Sequence, residues 1–184
     1  MYKPIKSTTL LAAIILWSLL LQPQGQAAEY SVLAGPAFSL QPFPTYGLAA
    51  SANVQSPFMG PTHWEFQYIA QNISGSGTIN RRQSAKVDVS MKSYEFAGFL
   101  LYETVNQWFI GPGVGYGLLF VYEDVETDGG NRLGDPSPFF DSENIHYGAL
   151  ILKAAKTWEK IHCEGRLSSF GGLIGGGALC GIIF

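Results

Sequence analysis

The 184-residue chain carries little charge: Lys, Arg, Asp and Glu make up 14% of it, against 47% hydrophobic residues. It has a formal net charge of −3 and no run of Lys and Arg, so nothing in it suggests a nucleic-acid-binding surface. Beyond the N-terminus it also lacks an apolar run of the roughly 20 residues that a transmembrane helix needs. Its large apolar content must therefore be accommodated in another way.

Phosphate-binding motifs are missing as well. One stretch has glycine at every second position (Gly111, Gly113, Gly115 and Gly117), a spacing that fits neither the dinucleotide-binding fingerprint nor the P-loop. Glycines on one face of a strand more simply leave room for bulky neighbours inside a narrow barrel. We therefore expect no cofactor.

The N-terminus has the layout of an export signal. Two lysines give it a positive start, residues 10–21 are apolar, and residues 25–27 form a small-x-small cleavage site. We predict that residues 1–27 are a cleaved signal peptide and that residues 28–184 form one domain. An uncleaved inner-membrane anchor is the alternative.

The tail, residues 161–184, alternates in polarity. His162, Glu164, Arg166 and Ser168 are polar, and the residues between them are apolar or small. Because the side chains of a strand alternate between two faces, these stripes require two environments. A polar, filled interior with an apolar exterior is typical of a barrel in a membrane.

The tail also predicts a hairpin register. If residues 171–172 form a two-residue turn, the numbers of facing residues have a constant sum, so Cys163 faces Cys180 and Arg166 faces Gly177. A disulfide between the cysteines is then possible in an oxidising compartment. Two unpaired thiols that face lipid are the alternative, because the pairing depends on the inferred register.

Six upstream segments show the same alternation, which makes eight strands with the tail hairpin. Their approximate ranges are residues 30–39, 46–55, 63–71, 86–102, 111–122 and 145–153. The third is the clearest, with Trp64, Phe66 and Tyr68 on the outward face and His63 and Glu65 on the inward face. Such alternation predicts strands that separate lipid from a polar lumen.

The fourth strand changes parity along its length. Val87, Val89 and Met91 occupy alternate positions, but the aromatic stripe resumes on the opposite parity at Tyr94. If every large apolar residue faces outward, a β-bulge near residues 92–93 reconciles the two halves. We therefore predict a bulge there.

Two polar segments without clear periodicity are predicted to be long loops. Residues 72–85 are rich in Ser, Gly and Asn, and residues 123–143 are rich in Asp, Gly and Pro. Both follow odd-numbered strands, whose connections face outward in an exported barrel with a periplasmic N-terminus. The loops would therefore meet any extracellular ligand.

The predicted fold is all-β, an eight-stranded antiparallel up-and-down transmembrane β-barrel. We expect it in a bacterial outer membrane, in contact with outer-membrane lipid. Its narrow lumen is expected to be filled by side chains, so we predict no open pore.

Short motifs resemble one known family. These are Tyr-x-Phe-Ala-Gly at residues 94–98, Asn-Gln-Trp at 106–108, Gly-Val-Gly-Tyr-Gly at 113–117, Tyr-Gly-Ala at 147–149 and the terminal Phe184. Together they resemble small Gram-negative barrels of the outer-membrane protein X and adhesion/invasion type, in the OmpA-like superfamily. The resemblance implies a structural or adhesion-type surface role. It also implies delivery by periplasmic chaperones and insertion by the barrel-assembly machinery, which reads the last strand and its terminal aromatic residue.

Several polar side chains are predicted to share the lumen. They are His63, Glu65, His162, Glu164 and Arg166, joined by Glu95. Such a cluster could be catalytic, but an Arg between carboxylates satisfies both, and unpaired burial costs several kcal/mol. We therefore favour a structural network that plugs the barrel.

A lipid A deacylase is the first alternative function. In small barrels of that kind a strand-borne Ser and His act as nucleophile and base, and His162 is placed like that His. The position expected for the Ser, two residues later, is Glu164. Ser168 and Ser169 are candidates on spacing alone.

The acidic segment after the fifth strand could instead bind calcium. Asp124, Glu126, Asp128 and Asp135 match positions one, three, five and twelve of a calcium loop. However, Arg132 occupies the ninth position, and strands flank the segment. An acidic solvated loop is therefore the favoured interpretation, and no metal is predicted.

A soluble lipocalin-like binder is the second alternative. It requires Trp64, Phe66 and Tyr68 to point into an apolar interior, which would leave His63 and Glu65 outside. The direction in which these aromatic side chains point therefore separates the two architectures.

Overall fold

A computed structural model describes residues 28–40, 43–80, 84–127, 144–170 and 173–184. The strands are β1 (Glu29–Ser39), β2 (Thr45–Met59), β3 (Thr62–Asn80), β4 (Ser84–Glu103), β5 (Trp108–Thr127), β6 (Asn144–Trp158), β7 (Ile161–Phe170) and β8 (Leu173–Ile183), with a short 3-10 turn at Val105–Gln107. The described part of the chain holds no helix that is long and apolar enough to cross a bilayer. The predicted signal peptide, residues 1–27, lies outside the described residues.

The eight strands close into an antiparallel up-and-down barrel. Each strand pairs with its neighbours in sequence, and β8 pairs with β1. The backbone N–H of Phe184 donates to the carbonyl oxygen of Tyr30 at 2.8 Å, so the last residue is tied to the first strand. The predicted strand number and order are confirmed.

The tail has the predicted register. In the ladder between β7 and β8, Cys163 lies opposite Cys180 and Arg166 lies opposite Gly177. The two cysteines form a disulfide, with their Cα atoms 4.1 Å apart. The two-residue turn proposed for this hairpin, residues 171–172, lies outside the described residues.

The two faces of the central barrel carry opposite chemistry. On β3, Trp64 and Phe66 point outward and are 41% and 43% exposed. The alternate residues Glu65 and Gln67 point inward and are 1% and 2% exposed. An apolar exterior around a polar, filled interior is the arrangement of a transmembrane β-barrel. It contradicts the lipocalin-like alternative, which needed the aromatic side chains inside.

The predicted loop at residues 72–85 is wrong, because most of it is strand. β3 and β4 stay paired up to Asn80 opposite Ser84, and only residues 81–83 between them lie outside the described residues. The period of two is present here, but its polar members, Ser74 and Ser76, face outward, and small Gly75 faces inward. Because polar residues face outward here and the inward positions include glycine, the sequence showed no clear alternation and was predicted to be a loop.

The predicted bulge at residues 92–93 is also wrong. The ladders on both sides of β4 run through these residues without a register shift. Val87, Val89 and Met91 face the interior and are at most 2% exposed, while Tyr94 faces outward. The side chains of β4 therefore alternate between the same two faces along the whole strand. What changes along the strand is the environment that each face contacts.

The ends of the strands show where that change occurs. The outer parts of β3, β4 and β5 have an apolar interior that includes Ile73, Val87, Met91, Leu119 and Val121. The outward positions of β3 and β4 carry mainly Ser and charged side chains, and those of β5 carry Phe120 and Tyr122. This is the arrangement of a protein in water, so the three strands continue beyond the lipid as a protruding sheet.

Two further strand boundaries differ from the prediction. β5 continues to Thr127, so residues 123–127 of the predicted loop at 123–143 are strand, and residues 128–143 lie outside the described residues. β6 continues past Lys153 to Trp158. The connections at 60–61, 104–107 and 159–160 are short and share one end of the barrel with both chain termini, as expected for the periplasmic side.

The disulfide should stabilise the barrel by restricting its unfolded chain. In the Cys163→Ala/Cys180→Ala variant, we expect the free energy of unfolding to fall by about 2–4 kcal/mol, because the cross-link closes a loop with a sequence separation of 17. Urea unfolding of refolded barrel in detergent measures this. Cys163→Ala alone should lose the same amount, and a double variant as stable as the oxidised protein would contradict the prediction.

Candidate functional site

The centre of the lumen is occupied by one lysine. Lys153, on β6, is fully buried, and its ammonium group donates to the carboxylate of Glu65 on β3 and forms an ion pair with Glu164 on β7. The same ammonium lies 5.0 Å from the centroid of the Phe99 ring. One cation therefore joins three strands across the barrel.

Arg166 extends this network to a second level. Its Nη1 donates to Gln67 Oε1 at 2.8 Å, and its Nη2 donates to the Glu95 carboxylate. Gln67 Nε2 donates in turn to Glu164 Oε1 at 2.5 Å, and Asn53 Nδ2 donates to Glu164 Oε2 at 3.1 Å. Side chains of β2, β3, β4, β6 and β7 thus form one continuous network.

The network brings two cations together with three carboxylates. Lys153 and Arg166 supply the positive charge, and Glu65, Glu95 and Glu164 supply the negative charge; all five are at most 3% exposed. Charges buried this deeply are tolerated when they are paired and hydrogen-bonded. The arrangement therefore fills the lumen at this level with paired charges.

The glycine stripe of β5 provides room for large inward side chains. A β-carbon at Gly115 would lie 3.0 Å from Glu95 Cδ and 3.1 Å from Ile151 Cδ1. One at Gly117 would lie 2.6 Å from the Tyr147 ring. The predicted spacing role of these glycines is confirmed at both positions.

The two histidines predicted for the lumen lie at its periplasmic end. His63 Nε2 is 3.2 Å from Glu103 Oε2, and the His63 ring packs edge-on against Phe109 at 5.0 Å. His162 is buried, with Nδ1 3.0 Å from Thr157 Oγ1. The structure thus brings Glu65, Glu95, Glu164 and Arg166 into one network and places His63 apart from it.

Sequence reasoning missed the residue at the centre of the network. The predicted sixth strand ended at Lys153, which placed this lysine at the rim, whereas the strand continues to Trp158. Its parity was the available signal, because Lys153 shares a face with the buried residues Tyr147, Ala149 and Ile151. A lysine on the inward face of a long strand requires a carboxylate partner.

The catalytic candidates are not brought together. Ser168 is buried and donates to the carbonyl oxygen of Gly175 at 3.4 Å, and Ser169 faces outward from the barrel. His162 and Ser168 share a face but are six residues apart, about 20 Å along the strand. A Ser–His pair for acyl transfer is therefore not formed from these residues.

The calcium-loop hypothesis is wrong where the structure tests it. Asp124 and Glu126 belong to the extended strand β5, opposite Asp88 and Lys86, which is incompatible with the start of a folded calcium loop. Asp128 and Asp135 lie outside the described residues. In the ranges that the structure describes, no group of three or more His, Cys, Asp or Glu residues could hold a metal ion.

The protruding sheet carries a surface groove. The groove has a volume of about 480 Å³ and is lined in part by Ser74, Asp88, Ser90 and Tyr122. Next to it, Lys86 Nζ donates to Asp88 Oδ2 at 3.1 Å. This surface is polar, with one large aromatic ring.

The same sheet has two strand edges without a ladder partner among the described residues. β3 pairs with β2 only up to Ser74 but continues to Asn80, with residues 43–45 lying against Gly75 and Gly77. β5 pairs with β6 only up to Phe120 but continues to Thr127. Such edges present backbone N–H and C=O groups that another polypeptide can bind.

Comparisons with solved structures find barrels of similar size. The structure of Ail, the attachment invasion locus protein of Yersinia pestis, is 12% identical, with 85% of this chain and 99% of that chain covered and a TM-score of 0.49, both alone and with the heparin analogue sucrose octasulfate. Neisserial surface protein A is 11% identical, with 87% and 98% covered and a TM-score of 0.46. No protein-family model and no curated protein matches the sequence.

Removal of the central cation should destabilise the barrel strongly. In Lys153→Met, two buried carboxylates lose their shared partner, so we expect the free energy of unfolding to fall by about 3–5 kcal/mol. Urea unfolding, followed by loss of the fast-migrating folded band in unheated gels, measures this. Lys160→Met, which removes an exposed lysine, is the matched control.

A second variant separates charge from packing. Adding Glu65→Gln and Glu164→Gln to Lys153→Met should restore part of the lost stability, because no unpaired charge then remains at this level. Equal stability of Lys153→Met and Lys160→Met would show that the network does not hold the lumen together.

Proposed function

We propose that the protein is an outer-membrane barrel with a surface-interaction role of the adhesion type and no open pore. The membrane location is supported by the closed ladder with its apolar exterior and buried charges. The absence of a pore is supported by the paired side chains that cross the lumen. Surface interaction is supported by the protruding sheet.

One observation carries the interaction role: the reversal of the two faces in the outer parts of β3, β4 and β5. Val87 and Met91 are buried inside this region, whereas Lys86 and Asp88 extend from its outer surface into solvent. A loop would need to be ordered on binding, but an extended sheet with its own apolar core is already ordered. It presents a rigid surface outside the membrane.

The binding chemistry that this surface offers is main-chain pairing beside a polar groove. A peptide segment of an extracellular protein can add to the edge of β5 beyond Phe120 or of β3 beyond Gly77, and the ladder hydrogen bonds then supply the affinity. Ser90, Asp88 and Tyr122 lie close enough to contact its side chains. We therefore assign the extracellular ligand to the protruding sheet.

The route to the membrane is part of the proposal. Residues 1–27 direct export and are removed, and the mature chain reaches the outer membrane with periplasmic chaperones. The barrel-assembly machinery then reads β8 and Phe184, whose side chain is 78% exposed at the periplasmic end. The short connections that follow the even-numbered strands remain in the periplasm.

The membrane and pore claims are tested with the purified mature protein. Unheated samples should migrate as a compact band that disappears on heating, and the protein should insert into phospholipid vesicles. In planar bilayers the inserted barrel should give no stepwise conductance. A barrel that stays soluble without detergent, or that conducts ions, would contradict the corresponding claim.

Surface interaction is tested by shortening the hairpin in register. Because Gly75 pairs with Val89, residues 75–89 can be replaced by an Asn-Gly turn that still closes the ladder at Ser74 and Ser90. Bacteria that display this variant should lose the adhesion to host cells or matrix that the full-length protein confers. The shortened barrel must still show heat-modifiable migration.

Lys160→Met, in a periplasmic turn, is the adhesion control and should bind as the unchanged protein does. Tyr122→Ser, which keeps the sheet but removes the aromatic ring of the groove, should weaken adhesion without changing migration. Unchanged adhesion after shortening would contradict a role for the sheet and leave the membrane location untouched.

A further inference from the structure

One lysine lies on the lipid-facing side of the barrel near its periplasmic end. On β6 the side chains of Lys153 and Ala155 point inward and are fully buried, so Lys156 points outward. It is half-buried at the outer surface, two residue pairs before the end of the ladder, where Trp158 lies opposite Ile161. Its level is therefore that of the lipid headgroups.

Two tryptophan rings hold the charged end of this side chain. Lys156 Nζ lies 5.3 Å from the ring centroid of Trp108, its ladder partner on β5, and 5.0 Å from that of Trp158. Both rings are partly exposed on the outside of the barrel. Tryptophan at this level is typical of the boundary between hydrocarbon and headgroups.

The ammonium group has no carboxylate partner in the part of the chain that the structure describes. Glu159, three residues further along the chain, is exposed in the turn, and Glu164, next to the ladder partner Cys163, is buried on the opposite, inward face. Lys160 adds a second positive charge to the same turn. An ammonium has three hydrogen-bond donors, and the tryptophan rings satisfy none of them fully.

We propose that Lys156, between Trp108 and Trp158, binds the phosphate of an anionic phospholipid in the periplasmic leaflet. This inference rests on the proposed membrane location and orientation. A cation that faces lipid is costly unless an anion meets it, and at this level the available anion is a headgroup phosphate. The indole N–H groups can donate to the same headgroup, as in basic pockets that bind anionic lipids.

The other end of the barrel offers a natural comparison. Lys92 also points outward, but it is exposed and lies 6.0 Å from the single ring of Tyr122, beside the polar outer surface of the protruding sheet. Its ammonium lies near one aromatic ring instead of two, although its ladder partner on β5 is Phe120. Lys92 therefore matches Lys156 in charge but lacks the two-ring frame.

Fluorescence quenching by brominated lipids tests the proposal. In a Trp64→Phe background the emission of the mature barrel comes from Trp108 and Trp158. The barrel is inserted into phosphatidylcholine vesicles that contain a small fraction of brominated phosphatidylglycerol or, separately, brominated phosphatidylcholine. We expect the anionic lipid to be preferred roughly three- to tenfold at these rings, the effect of one lysine near a membrane surface.

Three variants identify the source of the preference. In Lys156→Gln, the two brominated lipids should quench the tryptophan emission equally. In Lys156→Arg and in Lys92→Gln, the anionic lipid should still quench it more strongly. Equal quenching in the unsubstituted barrel, or loss of the preference in Lys92→Gln, would overturn the proposal.

Heat-modifiable migration shows in each case that the barrel has folded and inserted. Failure of the unsubstituted barrel to insert would contradict the membrane location itself. Insertion without lipid preference would contradict only the headgroup site.

Discussion

The ammonium group of Lys153 between the carboxylates of Glu65 and Glu164 is the contact on which the interior depends. An eight-stranded barrel is just wide enough to be filled by side chains, so a charged group inside it is poorly hydrated. Each carboxylate is tolerated because this cation, or Arg166 one level further, meets it. The ladders hold the barrel around its circumference, and the network holds it across its diameter. The same contacts that permit burial also fill the lumen at this level.

The outer surface of the barrel contacts lipid in its central part and water beyond it. The chemistry of the inward and outward faces changes where these surroundings change. Below Tyr94, the outside is apolar and the inside holds the charged network beside buried apolar side chains such as Phe99 and Leu101; above Met91, the inside is largely apolar and the outside is largely polar. The strands themselves continue without a bulge or a shift. A single ladder can therefore anchor the protein in lipid and extend into water.

Periodicity predicted the strands, their order and the faces of the central barrel, because alternation is a local property of each strand. The register that placed Cys163 opposite Cys180 followed from one turn. What local pattern could not provide was the environment of a face. Val87 and Met91 were assigned to lipid because they are apolar, although they fill the interior of the protruding sheet. Lys153 was missed because strand length is set by the partner strand, and β7 extends the pairing of β6 to Trp158.

Register is the constraint that connects the disulfide, the glycines of the tail and the charged network. β7 supplies the large polar side chains, such as Arg166, and β8 supplies small residues opposite them, such as Gly177. A slip of one residue would turn every side chain of a strand to the other face, so the charges of β7 would enter lipid. The link between Cys163 and Cys180 fixes the pairing in which they do not. The disulfide on the lipid-facing side and the ion pairs in the lumen thus favour the same register independently.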